Sequence, residues 1–392
     1  MDEGRAGYDV VIVGGGAMGS AVAAFVLAEP GFAGSVAVIE RDPTYRQASS
    51  ALSASSIRQQ FSTPENIRMS RFGFEFLRGL AAGPESGAVG LEERGYLYLA
   101  TEGGAPALER NHAVQRAEGA EVVLLTPSEL AARFPWLDTD GIALGALGLD
   151  GEGWFDGYGL LQALRRRART LGADFLKAEA VDLVIRGDRI ESVRLADGRE
   201  VRCGTLVNAA GPWARAVATM AGVPLPVEAR RRCVFVFDAP VTLPDCPLVI
   251  DTSGAWFRPE GPSFICGTSP RVERDVDGLP LEVDRSEFEE ALWPALAARV
   301  PAFDTLRQVR SWAGYYEYNT FDQNAIIGPH PVIGNLLFAN GFSGHGIQHA
   351  PAVGRAIAEL IVRGRFVSLD LSVFAYDRLL DGRRVVEENV IG

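Results

Sequence analysis

Lysine is almost missing from this 392-residue chain: Lys177 is the only one, and every other positive side chain among the 38 Lys and Arg is arginine. Any lysine-dependent mechanism must therefore centre on Lys177. Cysteine is scarce as well. Cys203, Cys233, Cys246 and Cys266 form no C-x-x-C and no closely spaced pair, a pattern that predicts reduced, buried, inert thiols and a reducing cytoplasm. No metal is expected. No apolar run reaches the ~18 residues of a membrane span. A net charge of −12, a pI of about 5.0 and no basic run argue against nucleic acid as a partner. The first motif begins at Tyr8, leaving no room for a signal or transit peptide. Length allows two domains, and 47% apolar with 22% charged residues is the composition of a globular protein.

What is there is organised around Tyr8–Glu40, YDVVIVGGGAMGSAVAAFVLAEPGFAGSVAVIE. Val10–Val13 is a β-branched run, the composition of a strand buried on both faces. Gly14, Gly16 and Gly19 then fit G-x-G-x-x-G. The first permits the tight turn, the second lets a pyrophosphate approach the backbone, and the third lets a helix over about Met18–Leu27 pack on the sheet. Free N–H groups and the partial positive charge of the helix N-terminus favour the phosphates. Glu40 closes a second strand, Val36–Ile39, and stands 21 residues after Gly19, where a carboxylate accepts hydrogen bonds from an adenosine ribose. The motif is a dinucleotide fingerprint, and there is no second one. A nicotinamide-dependent flavin reductase needs two.

Beyond Glu40, Ser49–Ser56 is a small-residue loop, either plain surface or close to a flat ligand. Thr63 and Pro64 cap a helix to Leu80. Gly95–Ala100 reads as a strand, Pro106–Glu118 and Thr126–Phe134 as helices, and Gly157–Leu171 as an amphipathic helix whose Arg165, Arg166, Arg167 and Arg169 form a solvated face. Asp174–Ala178, Ala180–Arg186, Arg189–Leu195 and Glu200–Cys203 are strands, with hairpin signals at Gly187-Asp188 and Asp197-Gly198. Thr205–Ala210 is a buried strand ending in the turn NAAGPWA. Residues 224–320 are rich in aromatics and β-branched residues and read as a second, mostly antiparallel sheet with a helix from Ser286. In WAGYYEY, Tyr315, Tyr316 and Tyr318 cannot all face one way, so at least one lines a cavity or the surface. Leu336–Ala339 is a strand followed by a glycine turn and a helix to about Val362.

The fingerprint, Glu40, the ASS loop at 48–50, NAAGPWA at 208–214 and GFSGHGIQHAPAVGRAIAEL at 341–360 resemble the FAD-dependent D-amino-acid oxidase/sarcosine oxidase superfamily. WAGYYEYNTFDQNAIIGPHP at 312–331 and QQFSTPENI at 59–67 resemble its subgroup of FAD-dependent oxidoreductase domain-containing proteins linked to respiratory complex I assembly, and their bacterial relatives. The resemblance implies an α/β protein with an α+β second domain: a Rossmann-type FAD-binding domain (1–80, 150–222 and 321–392) beside an antiparallel-sheet substrate domain (81–149 and 223–320). It implies a bacterial cytoplasmic enzyme. It assigns Gly14, Gly16, Ala17, Met18 and Gly19 to the pyrophosphate, Glu40 to the ribose, Arg41, Ser49 and Ser50 to the flavin side, and the Val181 backbone to adenine. Ala210, Gly211 and Trp213 line the cofactor, and Gly344, His345, Gly346, Ile347 and Gln348 bring N–H groups to the flavin pyrimidine.

The departures carry expectations of their own. Sarcosine-oxidase members hold flavin through a cysteine in the stretch that here reads AGYYEYNTFD, so FAD is expected to be non-covalent. Their oxygen-activating lysine lies in the strand that here reads SFICG, and with Lys177 alone in the nucleotide domain that device is missing. A dehydrogenase passing electrons to a quinone or electron-transfer protein is favoured over an oxidase that uses oxygen. The family lysine after G-H-G is Gln348. Arginine remains for an anionic substrate: Arg58 and Arg258 each either pair with a substrate carboxylate or make a structural ion pair. His345, in a glycine-flanked helix start, is expected neutral beside the active site, with His349 behind it. Tyr315, Tyr316, His345, Gln348, Arg58 and Arg258 are the pocket candidates, with Tyr316 or Glu317 as a possible base. The expected reaction is oxidation of the C–N bond of an amino acid or secondary amine to an imine. Alternatives are 2-hydroxy acid oxidation and a respiratory-complex assembly role.

Overall fold

The β-branched run of the fingerprint lies where both faces of a sheet are covered. A computed structural model describes residues 5–83 and 89–388; segments 1–4, 84–88 and 389–392, assigned above to the two domains, lie outside the described residues. Gly7–Val13 is central in an eight-stranded sheet, parallel to Val36–Glu40 on one side and Glu200–Asn208 on the other. Asp174–Lys177 forms one edge, and Leu336–Asn340 with Ile326–Pro329 the other. Arg189–Leu195 and Ala180–Arg186 extend Glu200–Asn208 as an antiparallel ribbon. Alternation sorts the run: Val10 and Ile12 pack under Ala17–Ala28, Gly157–Thr170 and Gly346–Arg363, while Val11 and Val13 pack under Ala214–Met220.

The second sheet, also eight-stranded, runs Arg307–Asn319, Val227–Asp238, Ser263–Gly267, Trp256–Glu260, Leu248–Ile250, Tyr96–Ala100, Leu144–Gly148, Val122–Leu125. All its pairings are antiparallel except Leu248–Ile250 with Tyr96–Ala100. Phe237, Phe257, Phe264 and Phe303 fill its core with edge-to-face and stacked rings. The molecule is thus mixed α/β, with one parallel-cored and one mostly antiparallel sheet.

Two local expectations change, and one strand has no counterpart in the sequence reading. Glu200–Asn208 is one strand, because Gly204 does not break it: a Cβ there would fall 2.7 Å from the Asp9 carbonyl oxygen, so glycine permits the neighbouring strand to approach. Leu144–Gly148 is a strand despite its small residues, since Gly145 seats the Leu130 side chain, at 2.9 Å from a Cβ built there. The helix after Ser286 begins as a π turn, Glu287–Leu292, before regular Trp293–Arg299. Pro294 has no N–H to give the regular ladder.

Ala17–Ala28 and Gly346–Arg363 touch backbone to backbone: a Cβ on Gly354 would lie 2.8 Å from the carbonyl carbon of Ala21. Gly354→Val is therefore expected to lower stability by about 1–3 kcal/mol through overpacking, read from urea unfolding. An unchanged midpoint would show that the helices separate freely.

Candidate active site

The carboxyl ends of the first sheet's parallel strands open onto a cavity of about 460 Å³ that continues under the second sheet. At the nucleotide end, Gly14 holds φ +102°, and a Cβ on it would fall 2.3 Å from the Ala209 carbonyl oxygen. Gly14, Gly16, Ala17 and Met18 line the cavity. Gly19 is not among the lining residues. A Cβ on it would meet the Gly14 oxygen at 1.9 Å, so its part is to let helix and strand close up. Glu40 accepts from the N–H groups of Gly15 (2.8 Å) and Asp42 (2.7 Å). Burial raises its carboxyl above the ordinary value and these bonds oppose that. Ser49 and Ser50 sit in a short helix, Ser49–Leu52, that replaces part of the expected loop. Ser50 Oγ accepts from Ala17 N–H at 3.4 Å, while the buried Ser49 Oγ and Tyr45 Oη have no protein partner among the described residues.

The NAAGPWA turn is held by Asn208, which accepts from Ala210 N–H (3.2 Å) and donates to the Ala214 carbonyl (2.8 Å). Ala210, Gly211 and Trp213 face the cavity. The Arg41 guanidinium lies 3.9 Å over the Trp213 ring and pairs with Glu179. Val181 departs from expectation: it is half exposed and off the cavity, which Ala178, Glu179 and Ala180 line instead. Its side chain is exposed, which leaves the expected backbone contact with adenine a proposal.

At the far end stands Arg58, 3% exposed. Its Nη1 donates to the Gln60 carbonyl (2.6 Å) and its Nη2 to His345 Nε2 (3.0 Å), with the guanidinium 4.0 Å over Phe61. Arginine has no proton to lose here, so His345 accepts at Nε2 and carries its proton on Nδ1. Burial first, then Arg58, pushes His345 well below the ordinary histidine value, so it is neutral as expected. The cause is burial and a cation rather than helix position alone. His349 is pushed to about 3 by burial and Arg58. Gln348 Oε1 accepts from the Arg58 backbone N–H (2.9 Å) and from Ser70 Oγ (3.4 Å), whose oxygen lies 3.0 Å from His349 Nε2. A consistent chain runs from His349 N–H to the Ser70 hydroxyl to the Gln348 oxygen, which leaves the Gln348 amide nitrogen for a ligand. Gly344, Gly346 and Ile347 complete this wall.

Tyr315 and Tyr316 both line the cavity. Tyr315 commits its hydroxyl to the Leu279 carbonyl (2.6 Å) and its ring to Trp213. Tyr316 lies on Gly344, where a Cβ would fall 2.5 Å from Cε2. Glu317 accepts from Gly341 N–H (3.1 Å), and burial pushes its carboxyl up to about 8. Arg258 is the candidate that the structure keeps out of the cavity. Its Nη1 donates to the Pro259 carbonyl (2.9 Å) and pairs with Glu260, its Nη2 donates to the Ala54 carbonyl (2.9 Å), and it stacks on Trp154. It fastens the serine segment to the second sheet.

Three residues escaped sequence reasoning. Arg232 lines the cavity over Tyr316, its fork held by Asp275 at 2.7 Å and 3.2 Å. Its place in EARRRC, alternating with Arg230, was the available signal. Tyr96 lines the wall from its strand. Glu152, buried behind Arg58 and bonded to Gln59 and Gln60, is pushed to about 7 by burial, and no motif announces it.

A fingerprint sheet whose ligand cleft runs beneath an antiparallel sheet defines a two-sheet, dinucleotide-dependent oxidoreductase. The chain belongs to the DAO family of FAD dependent oxidoreductases, whose sequence profile matches residues 9–360. It is 44% identical to FAD-dependent oxidoreductase domain-containing protein 1 of Xenopus laevis over 98% of this chain and 85% of that one. Glycine oxidase of Geobacillus kaustophilus is 30% identical, over 95% and 97% of the two chains. Among solved structures, L-proline dehydrogenase from P. horikoshii superposes with a TM-score of 0.86 at 26% identity, over 97% and 99%. The expectation of a bacterial cytoplasmic protein is overturned. The relatives at 36–44% identity are animal proteins, from Xenopus, cattle, mouse and Drosophila.

The two arginines should separate by experiment. Arg58→Met is expected to weaken binding of a simple carboxylate such as tert-butylacetate to the FAD-loaded protein by about tenfold or more. Arg258→Met should leave that affinity alone and lower the unfolding midpoint. Equal losses of affinity in both would refute the assignment.

Proposed function

We propose that the protein oxidises the C–N bond of an amino acid or secondary amine, giving an imine that water hydrolyses. The observation that carries this reading is Arg58, a buried guanidinium in the cavity wall beside His345, with Gln348 next to it. A planar fork is suited to a substrate carboxylate. Two of the similar proteins, a glycine oxidase and an L-proline dehydrogenase, are named for amino acids.

The residues present suit FAD. The positive-φ turn at Gly14, the small side chains of Gly16 and Ala17, and the unpartnered Ser49 and Tyr45 oxygens form a polar cradle that a dinucleotide fits. In this reading Gly14, Gly16, Ala17 and Met18 hold the pyrophosphate and Glu40 the ribose. Gly344–Gln348 offer backbone N–H groups at a helix start, where negative charge is favoured. When bound, FAD supplies a two-electron acceptor. The chain's part is to bind the carboxylate at Arg58, to orient the substrate against Tyr316 and Gln348, and to exclude water with Tyr96, Trp256 and Ile250. The discontinuous division into FAD and substrate domains given above follows the two sheets and is proposed with it.

FAD is bound without a covalent link in this proposal, since 313–322 contains no cysteine. Dehydrogenase action is favoured over oxidase action, with a quinone or electron-transfer protein as acceptor. Lys177 is exposed at the edge strand Asp174–Lys177 and does not line the cavity.

Anaerobic mixing of the yellow protein with amino, N-methylamino and hydroxy acids tests this. At least one amino or N-methylamino acid should bleach the flavin, and recolouring in air should be slow. Rapid recolouring would contradict the dehydrogenase assignment. Bleaching by hydroxy acids alone, or by nothing, would overturn amine oxidation.

A further inference from the structure

Glu317 is a cavity-wall carboxyl to which the reaction above gives no part. The carboxylates lining the cavity among the described residues are Glu40, Asp42, Glu179 and Glu317. The first three belong to the nucleotide end, where Glu40 is held by two backbone N–H groups and Glu179 faces Arg41. Glu317 stands apart, on the strand that carries Tyr315 and Tyr316. Its side chain points at the turn before the Gly346–Arg363 helix: Oε2 accepts from Gly341 N–H, and a Cβ on Gly346 would fall 3.0 Å from Oε1.

The charged groups around it are committed elsewhere. On the paired strand, Arg230 pairs with Glu228 and Arg232 with Asp275. Tyr316 and Tyr318 flank it on its own strand, and Tyr318 Oη accepts from Gln323. From the turn, His345 is neutral and already accepts from Arg58. The nearby helix N-terminus favours the anion, yet burial outweighs it and the single N–H. A carboxyl so placed has an unmet preference for a cation.

Resting on the amine-oxidation reading, we propose that Glu317 receives the ammonium proton of the substrate. One N–H bond of the ammonium breaks as an O–H bond forms on Glu317. The freed nitrogen lone pair lets the Cα–H bond break with its electron pair, which bound FAD accepts, and C=N forms. The product leaves as an iminium, which water hydrolyses. Histidine is not available for this step, since His345 on the cavity wall and His349 behind it are both held neutral with little affinity for a proton.

Two isosteric carboxylates test it on the FAD-loaded protein without turnover: glycine betaine, whose nitrogen is cationic, and tert-butylacetate, whose corresponding atom is carbon. The wild type should prefer betaine by about tenfold near pH 9 and lose much of that preference near about pH 6, as Glu317 takes up a proton. Near neutral pH, betaine binding should release a proton, read by calorimetry in buffers of different ionisation enthalpy. Glu317→Gln keeps an acceptor for Gly341 N–H. It should still bind tert-butylacetate, with preference and proton release gone. Glu317→Asp should retain both in part. A wild type without the preference, or a Glu317→Gln protein that keeps it, overturns the proposal. If amines bleach the flavin of Glu317→Gln with the wild-type pH profile, only the role of Glu317 fails. If neither probe binds the wild type, the amino-acid reading fails with it.

Discussion

A guanidinium buried in the wall of a largely apolar cavity is the constraint on which this site depends. Taking such an ion out of water costs several kcal/mol unless its donors are met and its charge is answered. Arg58 is met by the Gln60 carbonyl and by His345, covered by the faces of Phe61 and Tyr98, and backed by Glu152. Each of these groups is fixed in turn. His345 must present a bare Nε2, Gln348 must turn its oxygen to the Arg58 backbone, and Ser70 and His349 must pass one proton along behind it. The segment around Ser62 is tied down by Glu387, which also accepts from Asn66 at the start of the Pro64–Ala82 helix. A positive charge is thereby positioned before any substrate arrives, which is what oriented binding of a carboxylate requires.

The second constraint is the close approach of two backbones. The strand Arg307–Asn319 belongs to the second sheet, while the turn at 341–346 belongs to the first, and they meet at Tyr316 and Glu317. Glycine at 344 and 346 looked like room for a ligand. Its structural requirement is room for those two side chains, with φ +101° at Gly344 as a further demand. The same turn thus closes the protein around the cavity, with its Gly341 and Ser343 N–H groups bonded to Glu317 and that of His345 to the Phe342 carbonyl.

Most of the nucleotide sheet was legible because its signals are local. A β-branched run, a glycine triplet and a carboxylate at a fixed remove are read within Tyr8–Glu40, and every lining residue expected there except Gly19 faces the cavity. Strands made of small residues, such as Leu144–Gly148, were not legible, since their pairing comes from neighbours distant in the chain. The same distinction separates the two arginines. Arg58 and Arg258 are equivalent on the page. What distinguishes them is position: Arg58, bonded to Gln60 and His345, lines the cavity, while Arg258, bonded to the Pro259 and Ala54 carbonyls and Glu260, does not.

The low dielectric of the cavity also decides which groups can exchange protons there. Desolvation opposes charge of either sign, so it drives histidine down and carboxyl up. Beside Arg58 the two effects on histidine add, and His345 and His349 are left neutral across the working range. For a carboxyl, a cation and burial oppose each other. Glu152, close to Arg58 and bonded by three donors, lands near 7, while Glu317, with one backbone donor, is carried to about 8. The environment that disables histidine as a base therefore brings a carboxyl into the range where proton transfer from an ammonium is nearly balanced. In a chain with one remote lysine, arginine holds the charge and glutamate is left to move the proton.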